Sequence, residues 1–459
     1  MTALPVDRAH VPPSAHRAPH GRPLVSRRAL LALAPVLTAT LASCSGSLFG
    51  GNPATALTST ATRQQVPLAE APALEEAVAA CDALGAAMIT DALARAPEEN
   101  ALASPLSLAL ALALLAPGAT DPQSIDALLG ASGQDRNQTW SAIQNSLLRN
   151  DVDDSALEDF DPQEIPEAPL VHAANRVLII DDLQVSQTYL DTVHQWFDAD
   201  TERVPRSQAK KSLDAWVKHE TGGLIDKSAI EVTPDISLVL QNATLFAARW
   251  LEAFEPNHTA EDSTFTLANG STTTCDLMHM THSFTHVEGQ GWAALRIPYL
   301  GAPDPSGEAS LVMDVILPQA GTSPADLPEE TWAQASAALE AATDSDGGAR
   351  TVNLALPRLD LASGPTPLMP LLTSLGMAAG PLDNMAPDLR VGQVVQQVRL
   401  IVREDGTVAA AVTEIGVEAT AAIDPQDPID FIVDHPYVLR LCDRANGATL
   451  IQAAIMNPV

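Results

Sequence analysis

Helix-like patterns come first in this chain and strand-like runs later, and the two do not alternate in β–α units. That order argues for an α+β fold rather than a doubly wound parallel sheet. Glu75 to Arg95 carries apolar residues at helical spacing, and Pro105 to Leu115 is an Ala/Leu run of helix length that opens on Ser104-Pro105, a good first-turn signal. Strand-like runs follow at Ala174 to Ile180, Ser237 to Phe246, Ala293 to Tyr299, Ala309 to Leu317, Arg350 to Leu356, Val394 to Val402, Phe431 to Leu441 and Thr449 to Met456. Helical patterns at Val185 to Phe197 and Lys210 to His219 lie between them. No fixed-period repeat is visible. With 459 residues, 46% of them hydrophobic, the chain can bury one large core or two to three ordinary ones.

The first 43 residues read as an address rather than as fold. A basic stretch ends in Ser26-Arg27-Arg28, and the apolar run from Ala29 to Ala42 is short and broken by Pro35, too interrupted for a spanning helix. Leu41-Ala42-Ser43-Cys44 resembles a bacterial lipobox, in which small residues admit a signal peptidase and the thiol accepts diacylglycerol. The alternative is an ordinary secretory signal cleaved nearby, with Cys44 incidental. Arg27 and Arg28 suit Sec or twin-arginine export. The expected location is extracellular, with the protein anchored to the bacterial cell membrane by an N-terminal lipid on Cys44. Residues 44–70, rich in Ser, Thr, Gly, Ala and Pro, are expected to be a flexible tether, with the folded domain in 71–459 starting near Leu74.

The chain carries 25 Lys and Arg against 57 Asp and Glu, a net charge of -32. Such a surface repels phosphate backbones and anionic head groups, so nucleic acid is a poor partner. From Asp151 to Glu167 there are many acids and no base, a pattern expected of a solvated loop or helix edge. Four cysteines do not make a disulfide scaffold at this size, and beyond Cys44 the remaining Cys81, Cys275 and Cys442 have no metal-ligand spacing. They are expected as buried or half-buried thiols. There is no G-x-S-x-G elbow, Walker-type loop or H-E-x-x-H, and His219-Glu220 runs into Thr-Gly-Gly without a second ligand. His279, His282 and His286 form the one metal-like pattern, which is more often a set of surface histidines. No catalytic residue, metal or cofactor is expected.

Several separated segments, in order, resemble motifs of the serpin family, the serine protease inhibitors. They are Asn100 with Ser104-Pro105 and Ser107; Gly118-Ala119-Thr120; Ala174-Asn175-Arg176; Trp216-Val217 with Thr221, Gly223 and Ile225; and Asn242-Ala243 with Phe246, Trp250 and Phe254. Ile297-Pro298-Tyr299, Ile316-Leu317-Pro318, Asp434-His435-Pro436-Tyr437 and Met456-Asn457-Pro458 complete the set. The resemblance implies a serpin fold, with helices packed on a large mixed main sheet, further sheets and an exposed reactive-centre loop at about 404–430. It also implies a sheet-opening region at Ser104, Ser107, Asn242, Gln396 and Trp250.

Glu404-Asp405-Gly406-Thr407-Val408-Ala409-Ala410-Ala411-Val412-Thr413 is similar to the family's hinge. In an extended strand Thr407, Ala409, Ala411 and Thr413 share one face of small side chains, which can slide between two strands, and Gly406 supplies backbone freedom at the turn. Read alone, the stretch is also compatible with an Ala-rich strand or linker that makes no such motion. The resemblance implies a suicide substrate: a serine protease cleaves the loop, which inserts into the main sheet while still esterified to the enzyme, leaving a distorted enzyme that cannot deacylate.

The family register puts the reactive bond between Thr420 and Ala421, with Ala419 to Thr420 or a bond further downstream also open. From Glu404 to Asp430 there is no Lys, Arg, Phe, Tyr, Trp, Leu or Met, so an elastase-like or subtilisin-like enzyme is the expected target. Val408 stands where the family usually has Glu and is expected to face solvent. Gln396 stands where many members have a His that bonds to the Asn matching Asn242, and an amide can still donate or accept there. The expected partner is a target serine protease held as a covalent acyl complex, with the inhibitor a monomer and heparin no cofactor. A noninhibitory serpin-fold surface lipoprotein, serving as a binding or structural module, is the alternative.

Overall fold

The computed structural model describes residues 54–57, 59, 61–150, 157, 160–301, 309–328, 330–344, 348–378, 380–408 and 427–459. The helices are α1 (Leu74–Arg95), α2 (Pro105–Leu115), α3 (Gln123–Leu129), α4 (Gly133–Leu147), α5 (Gln187–Phe197), α6 (Arg206–Glu220), α7 (Thr331–Thr343) and α8 (Met369–Ser374). The strands are β1 (Thr55–Ala56), β2 (Ala101–Ala103), β3 (Leu170–Ile180), β4 (Asp200–Val204), β5 (Leu238–Arg249), β6 (Ala260–Thr266), β7 (Thr272–Gly289), β8 (Trp292–Pro298) and β9 (Leu311–Pro318). They continue as β10 (Ala349–Pro357), β11 (Leu359–Ala362), β12 (Thr366–Pro367), β13 (Val395–Gln396), β14 (Arg399–Arg403), β15 (Gly406–Thr407), β16 (Ile429–Ile432), β17 (Tyr437–Asp443) and β18 (Ala448–Ile455).

Two sheets dominate. The main sheet runs β1-β4-β3-β5-β15-β14-β11, and the second runs β16-β10-β7-β8-β9-β17-β18-β2 with β6 beside β7. Helix α2 is apolar around most of its circumference because most of it is enclosed. Leu106, Leu108, Leu110, Leu112 and Leu114 are all buried, and the helix packs against both β5 and β18. On the outer face of the main sheet, Ala209 and Leu213 of α6 cover Leu178, Ile180 and Val239. Strand β5 therefore has two faces: Val239 and Leu245 look outward, while Phe246 and Ala248 join the large central core.

Some expected elements differ. The run from Val394 to Val402 is divided into β13, which pairs with β12, and β14, which belongs to the main sheet. The run from Phe431 to Leu441 is divided around Asp434-His435-Pro436, where proline cannot donate to a ladder. The tether expected over 44–70 is not free over its described part. Thr55 and Ala56 pair with Arg203 and Glu202, supplying the partner that the β4 edge would otherwise lack.

Candidate functional site

The hinge segment begins as a reversal of the chain. After β14, Glu404 and Asp405 turn, and β15 comes back antiparallel between β14 and β5, with Gly406 opposite Arg403 and Arg249 and Thr407 opposite Val402 and Ala248. Gly406 is required there by space. A Cβ on it would meet the Ala248 carbonyl oxygen at 2.3 Å and the Arg249 Cα at 2.8 Å. Thr407 faces the central core, fully buried, with Oγ1 2.6 Å from the Tyr299 hydroxyl.

A clamp holds the turn. The Glu404 carboxylate accepts from the Thr259 hydroxyl at 2.5 Å and from both Nε, at 2.7 Å, and Nη2 of Arg358, whose Nη1 also donates to Asp276 at 3.1 Å. Burial alone would push the Glu404 carboxyl up, but the Arg358 and Thr259 bonds outweigh it and hold the group below the usual carboxylate range. Trp250 sits underneath, stacked on Tyr299 at 4.4 Å, and its Nε1 donates to the Arg403 carbonyl at 2.9 Å.

Below Thr407 the sheet is open. Strands β5 and β14 flank β15 and pair with each other nowhere among the described residues. The gap continues as a cavity of about 540 Å³ walled by Leu240, Asn242 and Thr244 of β5 on one side and Gln396 and Val398 on the other, with Ser107 of α2 at its floor. Missing neighbours explain why the core-facing positions Leu240, Asn242 and Thr244 stay half-buried while Val239, Ala243 and Leu245 on the outer face are buried.

The residues of the expected sheet-opening region are divided by this gap. Asn242 stays with β3, donating to Asn175 Oδ1 at 2.9 Å. Gln396 does not reach Asn242. It grips the backbone of Ser104 instead, accepting from the Ser104 N–H and donating to the Ser104 carbonyl, both at 2.9 Å. The Ser104 hydroxyl donates to the Leu450 carbonyl at 2.7 Å, tying this wall to β18.

Val408 does not face solvent as expected. It is buried against Leu157, Leu170, Leu245 and Ala247, with Phe160 and Leu224 packed on the cluster, at a left-handed φ of 59° that β-branched side chains resist. Leu157 and Phe160 belong to the acidic run expected to be solvated, and Ile165 in the same run is buried too. The apolar residues between the acids cover the point where the hinge leaves the sheet. Ala409, Ala410, Ala411, Thr413, the Thr420–Ala421 bond and Cys44 lie outside the described residues.

Tyr299, Thr259 and Arg358 were absent from the expected site. Tyr299 stands in a quoted motif without an assigned role, and nothing near Thr259 or Arg358 in the sequence marks them. Elsewhere, strand alternation puts His279 on the opposite face of β7 from His282 and His286. Cys81, Cys275 and Cys442 are buried free thiols. Burial pushes Cys275 up to about 11 and Cys442 up to about 12, so they are poor nucleophiles.

A family model described as Serpin (serine protease inhibitor) matches residues 79–458. Serpin-Z1C of Triticum aestivum is 26% identical over 78% of this chain and 90% of its own length. Among solved structures, the native state of the thermophilic serpin tengpin aligns with a TM-score of 0.71 at 21% identity, covering 88% of this chain and 99% of that one. A thyroxine-binding globulin complex with thyroxine aligns at 0.65 and 17% identity, covering 83% and 99%. These two likenesses are of fold. With the family model spanning most of its length and a sheet opened beside a hinge, the chain belongs to the serpin family.

Proposed function

We propose that this protein inhibits a serine protease as a suicide substrate, and the observation that carries the reading is the open gap below Thr407 with the hinge already in register beside β5. The serpin fold is in general that of a protease inhibitor and not of a catalyst. Continuing the antiparallel register from Thr407 and Ala248 would bring Val417 opposite Leu238. The positions then turned to the core are Thr407, Ala409, Ala411, Thr413, Ile415 and Val417, none of them charged, while Glu414 and Glu418 fall on the outer face. About ten added residues, at roughly 0.5 to 1.5 kcal/mol net per hydrogen bond, would stabilise the inserted form by on the order of 5 to 15 kcal/mol before packing. Reversal is then negligible, and a protease still esterified to the loop is dragged along and cannot complete deacylation.

The proposed target prefers small residues. A trypsin-like pocket would be left with an unpaired acid by a loop with no Lys or Arg from Glu404 to Asp430, and a deep apolar pocket would be underfilled. In this proposal the protein acts as a monomer outside the cell, held by a lipid on Cys44, and heparin does not help it because the net charge is -32 and the stretch from Asp151 to Glu167 carries acids and no base. A heparin-dependent rise in association rate at low salt would contradict that last point.

Incubating the purified mature chain with elastase-like, subtilisin-like and trypsin-like enzymes tests the whole reading. An SDS-stable covalent complex with the first two, cleaved at or near Thr420–Ala421, is expected. Loop cleavage without a complex, or no cleavage, would favour a noninhibitory binding module, and efficient trapping of trypsin would remove the proposed selectivity.

A further inference from the structure

We propose that residues 54–57, 59 and 61–64 form a docked arm that turns the reactive-loop pole away from the membrane, an inference that rests on the reading of Cys44 as the lipid-attachment site. The arm is built into the fold at several points. Thr55 and Ala56 extend the main sheet at its β4 edge, and the Leu57 N–H donates to the Thr201 carbonyl at 2.8 Å. The chain then crosses to α5, where the Ser59 hydroxyl donates to Asp191 at 2.6 Å and the Gln64 N–H to the Gln195 carbonyl at 2.8 Å. Arg63 closes the arm with an ion pair to Asp198 at 2.7 Å and a bond to Asn145 of α4 at 3.0 Å.

The register fixes the direction in which the chain leaves. Thr55 lies level with Arg203, Arg203 with Ile179, and Ile179 with Leu238. Thr407 lies level with Ala248 at the other end of β5, about 33 Å away along the strand at roughly 3.3 Å per residue. Because β1 runs antiparallel to β4, the chain before Thr55 departs from the end of the sheet opposite the hinge. From Cys44 to Ala54 it can span at most about 36 Å, whereas an undocked arm reaching Leu74 could span about 100 Å. Docking therefore shortens the reach and biases the facing: the pole at Thr55 stays within about 36 Å of the lipid surface, and the loop at the opposite pole is turned outward, where a soluble protease can engage it.

The test uses the full acylated chain in phosphatidylcholine vesicles bearing an energy-transfer acceptor on their head groups. A donor is placed on a cysteine introduced as Asp182→Cys at the attachment pole or Leu300→Cys at the hinge pole. Both positions are exposed, and the native Cys81, Cys275 and Cys442 are buried. Transfer from position 182 is expected to exceed that from position 300 severalfold. The Ser59→Ala, Arg63→Ala double variant is expected to stay on the vesicles while the contrast falls toward equality. Equal transfer from the two positions of the otherwise unchanged, vesicle-bound chain would overturn the orientation alone. Contrast that survives the double variant undiminished would overturn the role of the arm. A chain not retained on the vesicles at all would overturn the lipid reading and the proposal with it.

Discussion

The hydroxyl of Tyr299 lies 2.6 Å from Thr407 Oγ1, both groups buried, so the first inserted hinge residue is bonded to the same ring that stacks on Trp250. Burial pushes the Tyr299 phenol well above its ordinary value, and the ring stays neutral and able to donate. A buried hydroxyl pair of this kind contributes modestly when made and costs about 1 to 3 kcal/mol when one partner is left unsatisfied. The occupancy of the gap at Thr407 is therefore coupled to the packing beneath it.

Thr407→Arg should convert an inhibitor into a substrate. A long cation at a position with 1% exposure would have to be desolvated between β5 and β14, at a cost on the order of several kcal/mol. Insertion would slow relative to deacylation. Loop cleavage should continue while the SDS-stable complex disappears, and unchanged inhibition would mean that this face does not enter the sheet.

Acid should release the hinge clamp. The Glu404 carboxyl is held below its unfolded value, so its stabilising contribution is present above that value, roughly 4.3, and is lost as pH falls through the folded value. Trp250 reports the change, because its Nε1 bonds to the Arg403 carbonyl next to Glu404. Trp fluorescence should shift on acidification below about pH 4, and Glu404→Gln should show the released signal already at neutral pH with no acid step. A variant that titrates like the parent would exclude Glu404 as the group concerned.

Gln396→Leu should weaken the wall of the gap. Both of its amide bonds end on the buried Ser104 backbone; leucine would leave the Ser104 N–H unpaired, at about 1 to 3 kcal/mol, while the carbonyl keeps the Leu108 N–H. The urea midpoint of the native form should fall, and spontaneous conversion to a loop-inserted, inactive form should quicken. An unchanged midpoint would show that the cavity supplies water to replace the amide.

The fold class was legible because whole elements carry one message. Uniform apolarity marks α2, and small residues without charge mark the hinge face at Thr407. What was hidden depends on neighbours distant in sequence. Strand β7 escapes because its Thr and His residues, exposed or half-buried, interrupt the buried positions at Cys275, Leu277, Met278 and Phe284 and leave no continuous apolar stripe. The arm at Thr55 and Ala56 has no periodicity, and only the edge of β4 makes a strand of it. Gln396 was expected to meet Asn242, but the gap between their strands separates them, and that gap is a property of the whole sheet. Val408 was expected in solvent because Glu is usual at that place, and the apolar cover at Leu157 and Phe160 that buries it is masked in the sequence by the acids around it.

Val408→Glu should withdraw the hinge. At present the side chain is buried among Leu157, Leu170, Leu245 and Ala247, worth about 1.5 to 3 kcal/mol, set against a left-handed backbone that costs roughly 1 to 2 kcal/mol for a residue of this kind. The balance is narrow. A carboxylate cannot take that place without a partner, since the surroundings are apolar, so the substitution should tip the balance and draw Gly406 and Thr407 out of the gap. The freed loop should be cleaved faster, and the association rate with a small-residue protease should rise, while less of the cleaved chain should end in the covalent complex, because insertion would return position 408 to the apolar outer face at Leu245 and Ala247. Stopped-flow association together with Trp250 fluorescence would follow both events, and a rate and spectrum equal to those of the parent would show that Val408 does not hold the hinge in the sheet.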